Sequence, residues 1–187
     1  MSWSDVTREN TSNDKIPYTK FEVGNTMIRI LDNEPYSFWN HWLQKQQTSI
    51  VCPNKDCPIC NVIRQAKANK TEVPYNSSQR HAVRIWNYTT NQMEIMIQGR
   101  TFFSNLLDLH KEVGDITSYD IKVIRKGNGT DTTYTLLPQR PEAFTITDGV
   151  QEVDMADVFA PPTHDEILML MEGKTWAEIN GVDDTAA

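Results

Sequence analysis

The alternation of apolar and polar residues predicts strands over much of the chain. Residues 20–31 place Ile28 and Ile30 on one face and Met27 and Arg29 on the other. Because successive side chains of a strand point to opposite sides, this pattern predicts a strand with apolar contacts on both faces. Such two-sided patterning is typical of a strand in the wall of a barrel.

The clearest hairpin is predicted for residues 81–88 and 92–98, which are joined by a short polar turn. Arg84, Trp86 and Tyr88 share one face of its first strand, and aliphatic residues occupy the other face. A cation between two rings is the chemistry of a platform on which unpaired bases stack. The alternative is that the two rings pack under a helix or another part of the fold, and the pattern leaves both readings open.

A second hairpin is predicted for residues 119–126 and 134–137, with a glycine-rich tip at 127–133. Between the two hairpins, residues 100–113 have the apolar spacing of an amphipathic helix, which Gly114 ends. Two further candidates for base stacking are Tyr119 and Tyr134. Four candidates for phosphate contacts complete the predicted nucleic-acid site: Arg100, Lys122, Arg125 and Lys126.

The remaining segments receive simpler predictions. In the aromatic run YSFWNHWL, Trp39 and Trp42 are three residues apart and are expected to share a helical face. Residues 61–70 are expected to form a short helix and residues 71–79 a linker. Residues 163–179 have the spacing of a short amphipathic helix, either docked on a partner or packed on its own domain.

All three cysteines of the chain, Cys52, Cys57 and Cys60, lie within nine residues. Cys57 and Cys60 form a Cys-x-x-Cys pair, and prolines follow Cys52 and Cys57 in what are expected to be tight turns. Cys₃His is a common ligand set for structural zinc, so a fourth ligand is expected. His41 is the nearest candidate and His81 is its rival.

Other uses of the cysteines are possible but fit less well. A redox Cys-x-x-Cys pair opens a helix in a βαβ pattern, which is absent around these residues. A disulfide would leave one of the three thiols over. If a metal binds, its binding energy contributes directly to the folding of the loop.

Charge is distributed unevenly along the 187 residues, whose net charge is −7. Residues 20–140 contain fifteen basic and eleven acidic residues, whereas residues 141–187 contain eleven acidic residues and one lysine. A basic body with an acidic tail is typical of nucleic-acid binding combined with partner docking or self-shielding. No apolar run approaches the ~20 residues of a membrane span. A cytoplasmic location is therefore expected, where thiols stay reduced.

Several of these features together resemble the single-stranded DNA-binding proteins of tailed phages. They are the strand with an arginine and aromatic face, the Gly-Arg helix start and the segment SYDIKVIRKGNGTDTTYTLLP. The resemblance covers roughly residues 20–145. It implies an oligonucleotide/oligosaccharide-binding (OB) fold, a five-stranded barrel with an inserted zinc knuckle at 41–60. One structural Zn²⁺ would be held there by His41, Cys52, Cys57 and Cys60.

The resemblance also implies an organisation and a set of partners. Residues 1–19 are expected to be a flexible arm because they are polar and have no apolar period. In family terms, residues 146–187 would be an acidic tail that recruits replication or recombination proteins. The spacing of the zinc ligands differs from the best-known member, and the basic arm that drives cooperative binding there has no counterpart in residues 1–19. A monomer or weak oligomer is expected.

The expected function is sequence-independent coating and protection of single-stranded DNA during phage replication, recombination and repair. The alternative is a zinc-stabilised RNA-binding or transcription adaptor, because OB folds serve many ligands. An enzyme is not expected. The zinc-deaminase pattern is only half present, since no His-x-Glu precedes the cysteine pair.

Overall fold

The computed structural model describes residues 16–141, 143–146 and 148–181. Within them the chain is mainly β, with short helices and one antiparallel sheet of seven strands. The strands are β1 (Gly24–Ile30), β2 (Tyr36–Leu43), β3 (Thr48–Val51), β4 (Asn76–Asn87), β5 (Gln92–Gly99), β6 (Tyr119–Lys126) and β7 (Thr133–Pro141). The helices are α1 (Pro58–Ala68), α2 (Arg100–Val113), α3 (Met155–Val158), α4 (His164–Glu172) and α5 (Trp176–Ile179).

The 12-residue strand β4 is the axis of the sheet because it pairs with three other strands. Along one edge it pairs first with β2 and then with β1, and along the opposite edge it pairs with β5. The sheet therefore forks. One branch continues from β1 to β6 and β7, and the other continues from β2 to β3.

The main hydrophobic core lies on one side of the larger branch, which we call the inner face. Alternate residues of β1, β4, β5, β6 and β7 meet there, and Phe102 and Leu106 of α2 cover them. The shared core includes Met96 of β5 and Leu136 of β7. The sheet therefore curls until strands at its two ends contribute to one core.

The predicted barrel is not confirmed, because the sheet does not close. Among the described residues β5 and β7 are not hydrogen-bonded to each other. Residues 17–19 instead pair with β5, where Thr19 N–H donates to the Ile95 carbonyl at 2.9 Å. This segment protects part of an edge that would otherwise be open. The rest of the predicted flexible arm, residues 1–15, lies outside the described residues.

Most predicted elements are found, and two predictions are wrong. The aromatic run 36–43 is the strand β2, not a helix. Its residues alternate between the two faces of the sheet, and aromatic side chains fit a pleated surface well. The predicted linker 71–79 ends early, since residues 76–79 already belong to β4.

The acidic C-terminal region is folded against the rest of the protein wherever it is described. Its predicted helix over 163–179 is divided into α4 and α5 at Gly173, whose φ of 106° lies in the left-handed region. Ile167 and Leu170 of α4 are buried against the cysteine-containing loop. The sequence left two alternatives for this segment, docking on a partner or packing on its own domain. The structure shows the second.

Candidate metal centre and nucleic-acid interface

Three cysteines and one histidine converge on a single point next to β2. The donor atoms of His41, Cys52, Cys57 and Cys60 all lie within 4.8 Å of one another. His41 Nε2 is 3.5 Å from the Sγ atoms of both Cys57 and Cys60. The Sγ atoms of Cys52 and Cys60 are 3.6 Å apart. These residues can therefore hold a metal ion.

Local sequence places each donor. His41 lies in β2, and Cys52 directly follows β3, the strand paired with β2. Cys57 is the N-cap of α1 and Cys60 lies in its first turn, so the positive end of the helix dipole favours thiolates at both positions. Asn54 and Asp56 adopt left-handed φ values of 62° and 53°, which fold the intervening loop tightly.

Burial disfavours the charged forms of Cys52, Cys60 and His41. It raises the pKa of the Cys52 thiol to about 12 and raises the pKa of Cys60 as well. Burial also lowers the pKa of His41, against a weaker opposing effect of the Asn76 backbone. A divalent cation reverses the preference of the thiols, because the thiolate is the form that binds metal.

The spacing of the donors fits a tetrahedral ion. With Zn–S bonds of about 2.3 Å and Zn–N bonds of about 2.0 Å, tetrahedral geometry requires sulfur–sulfur separations of about 3.8 Å and sulfur–nitrogen separations of about 3.5 Å. Three of the six donor separations, at 3.5 to 3.6 Å, agree with this within a few tenths of an ångström, and the other three are no longer than 4.8 Å. All four positions are filled by protein, as in a structural site.

The rival ligand His81 is not part of the cluster. Its Nδ1 atom is 2.7 Å from Ser37 Oγ, and its ring packs on Phe103. The cysteines therefore have His41 as their partner.

The predicted nucleic-acid face forms a second candidate site, on the side of the sheet opposite the core. We call this side the outer face and define it by Arg29 of β1, Arg84 and Trp86 of β4, and Met93 and Ile95 of β5. The pairings Arg29↔Trp86, Arg84↔Ile95 and Trp86↔Met93 place these residues side by side. The prediction that Arg84 and Trp86 share one face of this strand is thus confirmed.

The outer face is covered by residues 143–146 and 148–159 of the acidic stretch 143–159, which we call the covering segment. It contains four acidic residues and no lysine or arginine. Glu152 accepts a hydrogen bond from Arg84 Nη1 at 3.0 Å, and the Gln151 carbonyl accepts another at 2.7 Å. Asp32, from the β1–β2 loop, completes the pairing of Arg84 at 2.7 Å. The predicted phosphate-binding arginine is therefore held by carboxylates.

Trp86 is only 3% exposed, so the expected open platform is not found in this structure. Phe144 of the covering segment meets its ring edge-on at 6.3 Å and also lies 5.6 Å from the guanidinium of Arg29. Trp86 Nε1 is buried without a hydrogen-bond partner among the described residues. Buried donors are rarely left unpaired, so the cover does not satisfy this side chain fully.

A second aromatic cluster lies further along the same side of the sheet. Phe159 stacks on Phe38 of β2, with 4.5 Å between ring centroids and 21° between ring planes. It also stacks on Tyr36 at 5.7 Å, and Ile95 of β5 belongs to the same buried cluster. The covering segment is thus anchored by one ring at each end.

The other predicted contact residues are scattered. Tyr119 is fully buried in the inner core, so its predicted exposure is wrong, because its position in β6 points it inward. Tyr134 packs on Phe21 and Phe102 at the edge of that core.

The predicted cations also occupy different places. Arg125 donates to the Phe21 carbonyl at 2.6 Å. Lys126 is exposed at the end of β6, and Arg100 is exposed at the start of α2. Two of the predicted contact residues, Tyr88 and Lys122, share the outer face with Arg84 and Trp86. The Tyr88 hydroxyl donates a hydrogen bond to Asp120 at 3.0 Å.

Sequence reasoning missed three groups that shape this site. Arg29 is buried on the outer face and pairs with Asp120 at 2.6 Å. Its position between two buried isoleucines was a signal that its charge needed a partner. Phe144 and Phe159 gave no such signal, since single aromatic residues in an acidic stretch have no periodic pattern.

Comparisons with known proteins give no relative: no family model, no curated protein and no solved structure matches this chain. Within the described residues, no helix combines the length and the apolar character needed to cross a membrane.

Proposed function

We propose that the protein binds single-stranded DNA without sequence preference and protects it during DNA replication, recombination and repair. The observation that carries the proposal is the occupation of the outer face. A carboxylate of the covering segment meets Arg84, and its aromatic rings meet Trp86 and Phe38. Phosphates and bases need the same kinds of partner, namely cations and ring faces.

The connection of the strands supports an OB-type fold for this proposal. Strands β1, β4, β5, β6 and β7 share one core, with α2 between the third and fourth of them. An OB fold is a five-stranded, partly open Greek-key barrel that binds its ligand on the face of its second and third strands. By that count these are β4 and β5, which carry most of the outer face.

Zinc is the proposed ion of the cysteine cluster, with a structural role. Three sulfurs and one imidazole are a zinc ligand set, and the donor spacing matches its bond lengths. The buried residues around the cluster include Ile59 of α1 and Ile167 of α4. The ion would therefore stabilise both the loop and the helix that packs on it. The acidic C-terminal region is also the proposed docking site for replication or recombination proteins.

DNA must displace the covering segment to reach the outer face. Within residues 164–181, α4 and α5 pack on the metal loop and not on the outer face. The shielding role is therefore proposed for residues 143–159. Weakening this segment should strengthen DNA binding most at low salt, where competing charges are least screened.

The test is a fluorescence titration of the full chain with oligo-dT at several salt concentrations. The double variant Phe144→Ala/Glu152→Gln is expected to bind more tightly than the wild type, and Arg84→Gln more weakly. Affinity should fall linearly with salt on a log–log plot as cations are released from the DNA. Arg64→Gln, in the exposed part of α1, is the control. An absence of binding by the uncovered variant would refute the proposal, and stronger binding to RNA would favour an RNA adaptor.

A further inference from the structure

A cavity of about 710 Å³ lies away from the outer face, between α2 and the β1–β2 loop. Its floor is formed by buried Ile30, Val83 and Leu106, and Leu107 stands 52% exposed at its mouth. Cavities of this size with an apolar floor and a few polar groups are typical of ligand sites. The covering segment does not line it.

Two rings and a hydroxyl form one wall of the cavity. Ser37 Oγ lies 2.7 Å from His81 Nδ1, which fixes the imidazole. The His81 ring in turn packs on Phe103 at 5.1 Å, with 46° between the planes. Burial and the nearby Arg100 lower the pKa of His81, so its ring is neutral near pH 7. The wall therefore offers two uncharged aromatic rings inclined to each other.

The mouth of the cavity is electropositive. Arg100 is exposed there and has no ion-pair partner within residues 16–141, 143–146 and 148–181. It is the first residue of α2, a 14-residue helix with no side-chain N-cap, so the positive end of the helix dipole adds to its charge. Asp32, which also lines the cavity, is paired with Arg84.

We propose that this cavity binds one nucleotide unit of single-stranded nucleic acid, with the base against the His81 and Phe103 wall and the phosphate at Arg100. The proposal rests on the proposed function. Trp39 supports it, because the ring is 44% exposed and lies directly across from Gln79, another residue of the cavity lining. A second base leaving the cavity would meet Trp39 on the same side of the sheet.

The direct test is an NMR titration of the full chain with deoxythymidine 5′-monophosphate, compared with deoxythymidine and with inorganic phosphate. The monophosphate is expected to shift amides around the cavity, in particular at 37, 81, 103, 104 and 107, and to bind more tightly than either fragment. Shifts with N-acetyl-tryptophanamide but not with the nucleotide would assign the cavity to an apolar side chain of a protein partner and overturn the proposal.

Two variants connect the cavity to strand binding. Ser104→Trp fills the mouth from an exposed position of α2, and Arg100→Gln removes the cation. Each is expected to weaken oligo-dT binding about fivefold or more, since one stacked base contributes at least ~1 kcal/mol. Lys111→Gln is the matched control, because it removes one exposed charge at the other end of the same helix and should stay within twofold.

The two proposals fail in distinguishable ways. If oligo-dT binds but neither variant weakens it and the monophosphate shifts nothing, the cavity proposal is wrong and the outer face stands alone. If oligo-dT does not bind even to the uncovered variant while the monophosphate shifts the cavity amides, the proposed function fails and the cavity remains a nucleotide site.

Discussion

The metal centre and the outer face differ in how far apart in sequence their parts lie. All four metal donors fall between His41 and Cys60, and turns and one strand pair bring them together. Arg84 and Glu152, which meet on the outer face, are 68 residues apart. A site closed by local turns can be recognised from residue spacing. A surface closed by a distant segment cannot, because no local pattern identifies the partner.

The largest effect is expected from removing the metal. Chelation should abolish hydrogen-exchange protection in residues 41–60 and release α4, whose Ile167 and Leu170 share a buried cluster with Cys52 and Cys57. The binding free energy is of order 10 kcal/mol in zinc-finger peptides and would be lost from folding. His41→Asn should lower the zinc content measured by atomic emission.

His81→Asn is the control for the metal centre, because His81 lies outside the cluster. It should leave one zinc ion per chain. Full protection of residues 41–60 after complete metal removal would show that the loop folds without an ion.

Phe159→Ala should separate the covering segment from the sheet. Its ring is 5% exposed and stacks on Phe38 and Tyr36, so truncation should cost about 3–5 kcal/mol of local stability. Hydrogen exchange should rise in 148–159 while the inner core stays protected, and oligo-dT affinity should increase. Leu168→Ala, at an exposed position of α4, should change neither quantity. A loss of protection throughout the sheet would make Phe159 part of the main core.

The two carboxylates that hold Arg84 should differ in strength. Asp32→Asn leaves a guanidinium that is only 13% exposed with a weaker partner, at a cost of about 1.5–3 kcal/mol in urea unfolding. Glu152 has a 91% exposed side chain, so Glu152→Gln should cost less than about 1 kcal/mol. Equal costs would mean that the covering segment holds the arginine as firmly as the β1–β2 loop does.

The smallest effect concerns the start of α4. Hydrogen bonds from the backbone N–H and hydroxyl of Thr163 lower the pKa of Glu166 below its usual value. A depressed folded pKa stabilises the helix at pH values above the unfolded pKa, and this contribution is lost as the pH falls through the folded pKa. Protection factors in α4, corrected for the intrinsic exchange rate at each pH, should therefore fall slightly as the pH drops below the unperturbed glutamate pKa of ~4.3. Glu166→Gln should remove that pH dependence, and a profile left unchanged by this substitution would contradict the assignment.

The sequence by itself determined the local features of this protein. Alternation identified β4, β5 and β6 because successive side chains of a strand point to opposite faces of the sheet, and apolar spacing gave α2 its observed limits. The helical spacing of apolar residues led to a wrong prediction at 36–43, because two tryptophans three residues apart also fit a strand. The cysteine spacing predicted the cluster of residues that can hold a metal ion. It did not decide between His41 and His81 as the fourth ligand.

The tertiary structure alone decided what each surface meets. His41, and not His81, lies beside the cysteines, and Tyr119 is buried in the inner core. The covering segment contacts Arg84 and Trp86. These outcomes depend on contacts between residues far apart in the chain. Closing a longer loop adds little entropy cost, so many distant partners compete at similar cost. The packing of the whole fold selects among them, and local sequence does not record that choice.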